Sequence, residues 1–180
     1  MNLLKSVFAL ISGTISYSLI LAAPALAQDN PKLSDAEVAS VAVVANQIDV
    51  DYAAIAHKKS KDSAVLQFAE NMASAHKAVI AQAVALVTKL KVTPQDNAIS
   101  KQLLSDAEKT RKKLNTLSGK AFDKAYIDNE VAYHKAVIAA VEGLLIPESE
   151  NAELKALLQN VVPILKAHLE HAQMVQKQHS

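Results

Sequence analysis

Between Val65 and Leu90 the apolar residues recur every three or four positions, as Val65, Phe68, Met72, Val79, Ala83, Leu86 and Leu90, with His76 in the same register. That spacing places them on one face of an α-helix. The same period runs through Val38, Val41, Ala45, Ile48, Tyr52 and Ile55, through Tyr126, Val137, Val141 and Leu144, and through Leu154, Leu157, Val161, Leu165, Ala172 and Val175. No segment alternates apolar and polar residues between turn signals, and of the three glycines only Gly119 and Gly143 lie beyond Gly13. Hairpins lack their turn residues here, so an all-α fold with almost no strand is expected.

The punctuation sets helices near 34–59, 62–91, 119–145 and 150–177, and a shorter lysine-rich helix within 98–117. Ser34-Asp35-Ala36-Glu37 is a capping box that opens the first. Ser60 to Ser63 is a short polar link, which makes the first two helices antiparallel neighbours. Thr93-Pro94-Gln95-Asp96-Asn97 and Ser118-Gly119 break the pattern on either side of the shorter helix, and Pro147 is expected to stop the third long one. Four long helices and one crossover segment predict a four-helix bundle whose crossover lies between the second and third long helices. Pro163, inside the last helix, removes a backbone donor and collides with the carbonyl of Gln159, which predicts a kink before His168.

The first 27 residues carry one charge, Lys5, then an apolar run broken by Ser12, Gly13 and Thr14, then Ala25-Leu26-Ala27. This is the pattern of a secretory signal peptide with cleavage after Ala27, leaving residues 28–180 as one exported, periplasmic domain with no stable membrane insertion. Without Lys5 the basic residues equal the 18 Asp and Glu. A neutral surface does not neutralise phosphates, so no nucleic-acid partner is expected. The absence of cysteine excludes disulfides, a thiolate nucleophile and an iron–sulfur cluster. No serine-hydrolase or phosphate-loop motif is present, and no catalytic residue is assigned.

Chemistry-bearing residues do sit inside the stripes. His76, His134 and His168 lie on the core faces of three different helices, and Glu130 lies one turn before His134. If the crossover returns the chain along the length of the bundle, Asp49, His76, Glu130, His134 and His168 come within about two turns of one another, roughly 11 Å along the axis. Inward carboxylates and imidazoles on all four helices suit iron, copper, zinc or manganese. The paired Glu-x-x-His signature of carboxylate-bridged di-iron sites is absent, because Glu130 and His134 are four apart and Glu170 and His171 are adjacent. His168 and His171 share a helix face and form a second local pair. His57 and His179 are expected to be solvated, and the run Lys109 to Lys113 to be a wet helix face.

The stretches LSDAEVASVAVVANQIDVDYAAIA, VLQFAENMASAHKAV, GKAFDKAYIDNEVAYHKAVI and AHLEHAQ resemble a bacterial family of exported domains of unknown function, numbered 4142 and described as ferritin-like. By that resemblance His76, His134 and His168 correspond to the family's motif histidines, and Asp49 or Asp51 to an acid on the first helix. Position 75, often Asp in the family, is Ala75 here. The resemblance implies a ferritin-like fold and no established activity.

Two readings follow. In one, the protein binds a transition metal in its interior and serves metal handling or stress protection in the envelope. In the other, it is a structural or interaction module for an envelope protein partner, and the interior polar residues only fix helix register.

Overall fold

The computed structural model describes residues 32–179; the expected signal peptide and its cleavage site lie outside them. Helix α1 spans Asp35–Lys59, α2 Ser63–Leu90, α3 Ala98–Thr116, α4 Gly119–Ala140, α5 Ile146–Glu148 and α6 Ala152–Gln178, and there is no strand among the described residues. The all-α expectation holds, and the expected boundaries fall within about two residues of these ends, except around Pro147. Side chains fix the starts. Ser34 and Glu37 close the capping box of α1, Asp62 accepts from the backbone of Ala64 and Val65, and Asn97 and Asn151 cap α3 and α6 in the same way.

The end contacts give each helix its direction. At one end of the molecule, Asp35 accepts from the backbone of Asn151, Leu33 donates to Glu148, and Gln95 donates to the carbonyl of Ala36. At the other, Ser60 donates to Asp123 at 2.5 Å, Lys59 reaches the carbonyl of Asn115, and His179 faces Asp62 at 3.4 Å. Thus α1, α3 and α6 run one way, and α2 and α4 run the other. Helix α1 packs on α2, α2 on α6, α6 on α4, and α4 on α1, while α3 lies outside against α1 and carries the chain back to the end where α4 begins.

The one departure from the expected helices has a local cause. Pro147 does not stop the third long helix: Val141–Leu145 winds as a π-helix, in which Ile146 donates to the carbonyl of Val141, and Pro147 then sits in the first turn of α5. A proline is tolerated in a first turn because its missing N–H has no partner there to lose. Helix α6 runs through Pro163 as expected, and Pro163 and Gln159 are both on its exposed side.

The core is split in two. One apolar cluster holds Ile48, Tyr52, Phe68, Met72, Tyr126, Ile127, Ala172 and Val175. The other holds Val38, Val41, Val79, Ile138, Leu145, Leu158, Val161 and Leu165. On α2 the change from one cluster to the other falls between Ala73 and Val79, on α4 between Val131 and Ile138, and on α6 between Leu165 and Ala172. His76, His134 and His168 occupy those three gaps.

Candidate metal centre

Each helix of the packed ring brings one or two polar side chains to this divide. Asp49 and Glu130 are fully buried, His134 is 1% and His76 3% exposed, and His168 is half-buried. The rings of His76, His134 and His168 lie 5.1–5.7 Å apart between centres. Nitrogens of these three imidazoles lie within 4.8 Å of one another, as do donor atoms of Asp49, Glu130 and His134. The five residues singled out from the sequence therefore meet in one place, with His134 common to both groups.

The inner contacts have a shared feature. Asp49 Oδ2 lies 3.4 Å from His76 Nε2 and 3.5 Å from His134 Nε2. None of these atoms has a hydrogen bond among the described residues, and neither do the carboxylate oxygens of Glu130 or His168 Nδ1. The opposite ring nitrogens are committed. His134 Nδ1 is 2.9 Å from the carbonyl of Glu130, and His76 Nδ1 is 2.7 Å from Asn46 Oδ1. A carbonyl oxygen only accepts, so His134 Nδ1 carries the proton and Nε2 is left with a lone pair. Asn46 is oriented in turn, since its amide nitrogen donates to the carbonyl of Ala42 at 2.8 Å, turning Oδ1 toward His76. His76 thus holds the same tautomer.

Asp49 Oδ2 and the two imidazole lone pairs that face it across 3.4–3.5 Å repel unless a proton or a cation lies between them. Ligand atoms bound tetrahedrally to one ion at about 2.1 Å stand about 3.4 Å apart. Both observed separations match that edge. Hydrogen bonds that fix the outer nitrogen of an imidazole while its inner nitrogen points at a shared centre are the usual support of metal-bound histidines.

Burial sets the charges. Desolvation raises Asp49 to about 7, and it raises Glu130 well above its ordinary value, with repulsion from Asp49 adding to the effect and the Asn129 amide opposing it. Desolvation holds His76 down at about 3, reinforced by His134 and His168, and His168 at about 4, reinforced by His134 and His171. It also lowers His134, against the pull of the Glu130 carbonyl. Neutral imidazoles are the form that binds metal.

Several side chains fall outside the centre. Asp51 accepts from Gln47 and faces Arg111 near the surface, so Asp49 is the first-helix acid of the site. His171 packs against the ring of Phe68 at 5.1 Å and, though near enough to His168 to lower it, lies outside the group of donor atoms. His57 stays largely open beside Glu70, whereas His179 is not solvated as expected: its side chain is 13% exposed and bonds the carbonyl of Val175. The sequence reading missed Asn46, which lies three residues before Asp49 on the same helix face, and Tyr126, Asn129 and Tyr133, which flank Glu130. Tyr133 donates to the carbonyl of Ala45 at 2.8 Å and ties α4 to α1 beside the centre. An inward acid was the signal that makes such neighbours worth inspecting.

An all-helical protein with a buried cluster of imidazoles and carboxylates is the class that fold and site define. The chain belongs to the family described as Domain of unknown function (DUF4142), whose match covers residues 21–175. No curated protein and no solved structure shows a significant match to it.

Proposed function

We propose that this chain is an exported, ferritin-like four-helix bundle that binds one transition-metal ion between α1, α2, α4 and α6, and serves metal storage, delivery or stress protection in the cell envelope. Its ligands are His76 Nε2, His134 Nε2, Asp49 Oδ2 and one nitrogen of His168, with Glu130 completing the sphere or accepting a proton beside it. The observation that carries this reading is the convergence of unpartnered, fully buried donor atoms at metal-ligand spacing. Each buried polar atom left without a bond is costly, and a shared cation would satisfy several of them at once. Ala75 does not weaken it, because the acids come from α1 and α4. Mixed nitrogen and oxygen donors fit iron, zinc, manganese or copper.

Export rests on the signal-peptide pattern of residues 1–27, and mass spectrometry of secreted material should find Gln28 first. The metal test is elemental analysis of protein purified without a His tag and offered Zn, Fe, Mn and Cu in turn. One equivalent of metal, lost in His134→Ala, supports the reading. Repeated absence of metal from folded wild type refutes it, and leaves the polar band as a device that fixes helix register.

A further inference from the structure

Beside the candidate centre lies a cavity of about 370 Å³ lined by the same four helices and by α3. Its wall is formed by apolar side chains such as Val79, Ala83, Leu158 and Val161, and its lining on α2 runs from His76 to Val87, roughly 16 Å at 1.5 Å per residue. Exposed Ala132 and Ala136 are part of the lining, so the cavity reaches the surface between α1 and α4. Apart from Asp106 and Thr110 at the α3 rim, its polar groups gather around Asn46, Asp49, His76 and His134.

Away from its polar end the cavity offers ordered water no partners, since water needs two to four polar contacts. It is also too large to be a packing defect: an apolar cavity of about 150 Å³ takes a benzene ring, so this one has room for on the order of a dozen carbons. Its length selects a linear molecule over a fused ring. Its single polar end selects one head group, and the unpartnered Nε2 atoms and Asp49 are what that head group meets.

We propose that this cavity binds a linear aliphatic carboxylic acid of about ten to twelve carbons, its chain along α2 and α6 and its carboxyl group at Asp49, His76 and His134. With a metal in place the carboxylate would take the position that Glu130 otherwise completes. In its absence the protonated acid donates to an imidazole Nε2. The proposal rests on the metal reading only for the first of these two modes.

The test is titration of decanoate into untagged, exported protein, both metal-free and loaded with one equivalent of zinc, by calorimetry and by the ¹⁵N resonances of the imidazoles. The expected result is saturable one-to-one binding of decanoate, at least tenfold weaker binding of butanoate, and movement of the His76 and His134 Nε2 signals in one or both forms. Ala83→Phe fills the cavity and should weaken decanoate at least tenfold while metal content is unchanged. Ala42→Leu, at a half-buried position of the lining, serves if Ala83→Phe does not fold. No saturable binding to either form overturns the proposal, even if one equivalent of zinc binds and the metal reading stands. Wild-type affinity in a folded filling variant, or imidazole signals that do not move, also overturns it. Decanoate binding with imidazole shifts in a protein that takes up no metal supports the proposal while the metal reading falls.

Discussion

Asp49→Asn tests the electrostatics of the centre without involving any metal. The side chain is fully buried and has no hydrogen bond to either oxygen, and burial alone raises its pKa from 3.8 to about 7. An acid with a raised folded pKa binds its proton more tightly in the native state. Its contribution is therefore most favourable below the unfolded pKa, and it is lost as pH climbs from there through the folded one. Ionised Asp49 thus costs the metal-free protein about 4 kcal/mol at pH 8, taking about three pKa units at 1.36 kcal/mol each. Asparagine keeps the shape and removes the charge, so the metal-free variant should be the more stable protein at pH 8. The advantage should shrink by about 2–3 kcal/mol at pH 5, where wild-type Asp49 is protonated. Urea unfolding of both proteins at the two pH values measures the difference. With zinc added the order should reverse, because binding to the native state stabilises wild type and the variant has lost a charged ligand. A gap that does not change between pH 5 and pH 8 would refute the reasoning, since Asp49 would then titrate as it does in water.

Three further outcomes follow from the geometry. In an Asp49→Asn, Glu130→Gln double variant both buried acids of the centre are gone, and because the folded pKa values of the imidazoles are lowered, to about 3 for His76 and about 4 for His168, their stabilising effect is present above pH 6.5 and lost below it. The urea midpoint of that variant should fall steadily from pH 6.5 to pH 4. Asn46→Ala releases His76 Nδ1 and should weaken metal binding by about 10- to 100-fold in a chelator competition, with little change in the fold. Lys91 ends α2 with φ at 56°, in the left-handed region, so Lys91→Gly should stabilise the protein by about 1 kcal/mol in the same urea assay.

The sequence by itself determined the helices and their starts. The capping residues Ser34, Asp62 and Asn151 act on neighbours within three positions, and the apolar stripes need only the helical period, so both are local properties. It also placed His76, His134 and Glu130 on inward faces for the same reason. Pro147 was harder, because the π-turn Val141–Leu145 that carries the helix on to it is not written in the local pattern.

Only the tertiary structure decided which polar groups meet. Asp49 and Asp51 are both acids on α1, two residues apart; the packing of α2 and α4 against α1 encloses the first, while Arg111 of α3 meets the second near the surface. The sequence puts His168 and His171 on one helix face, but it does not show that His171 packs against the ring of Phe68 on α2 while His168 meets the imidazoles of α2 and α4. The tautomers of His76 and His134 depend on which oxygen each outer nitrogen reaches, and for His76 that oxygen belongs to a different helix. The period of a helix tells which side of itself a residue faces. What stands on the other side of the gap is set by how the helices pack, by residues far away in the chain, and so it was visible only once they were folded together.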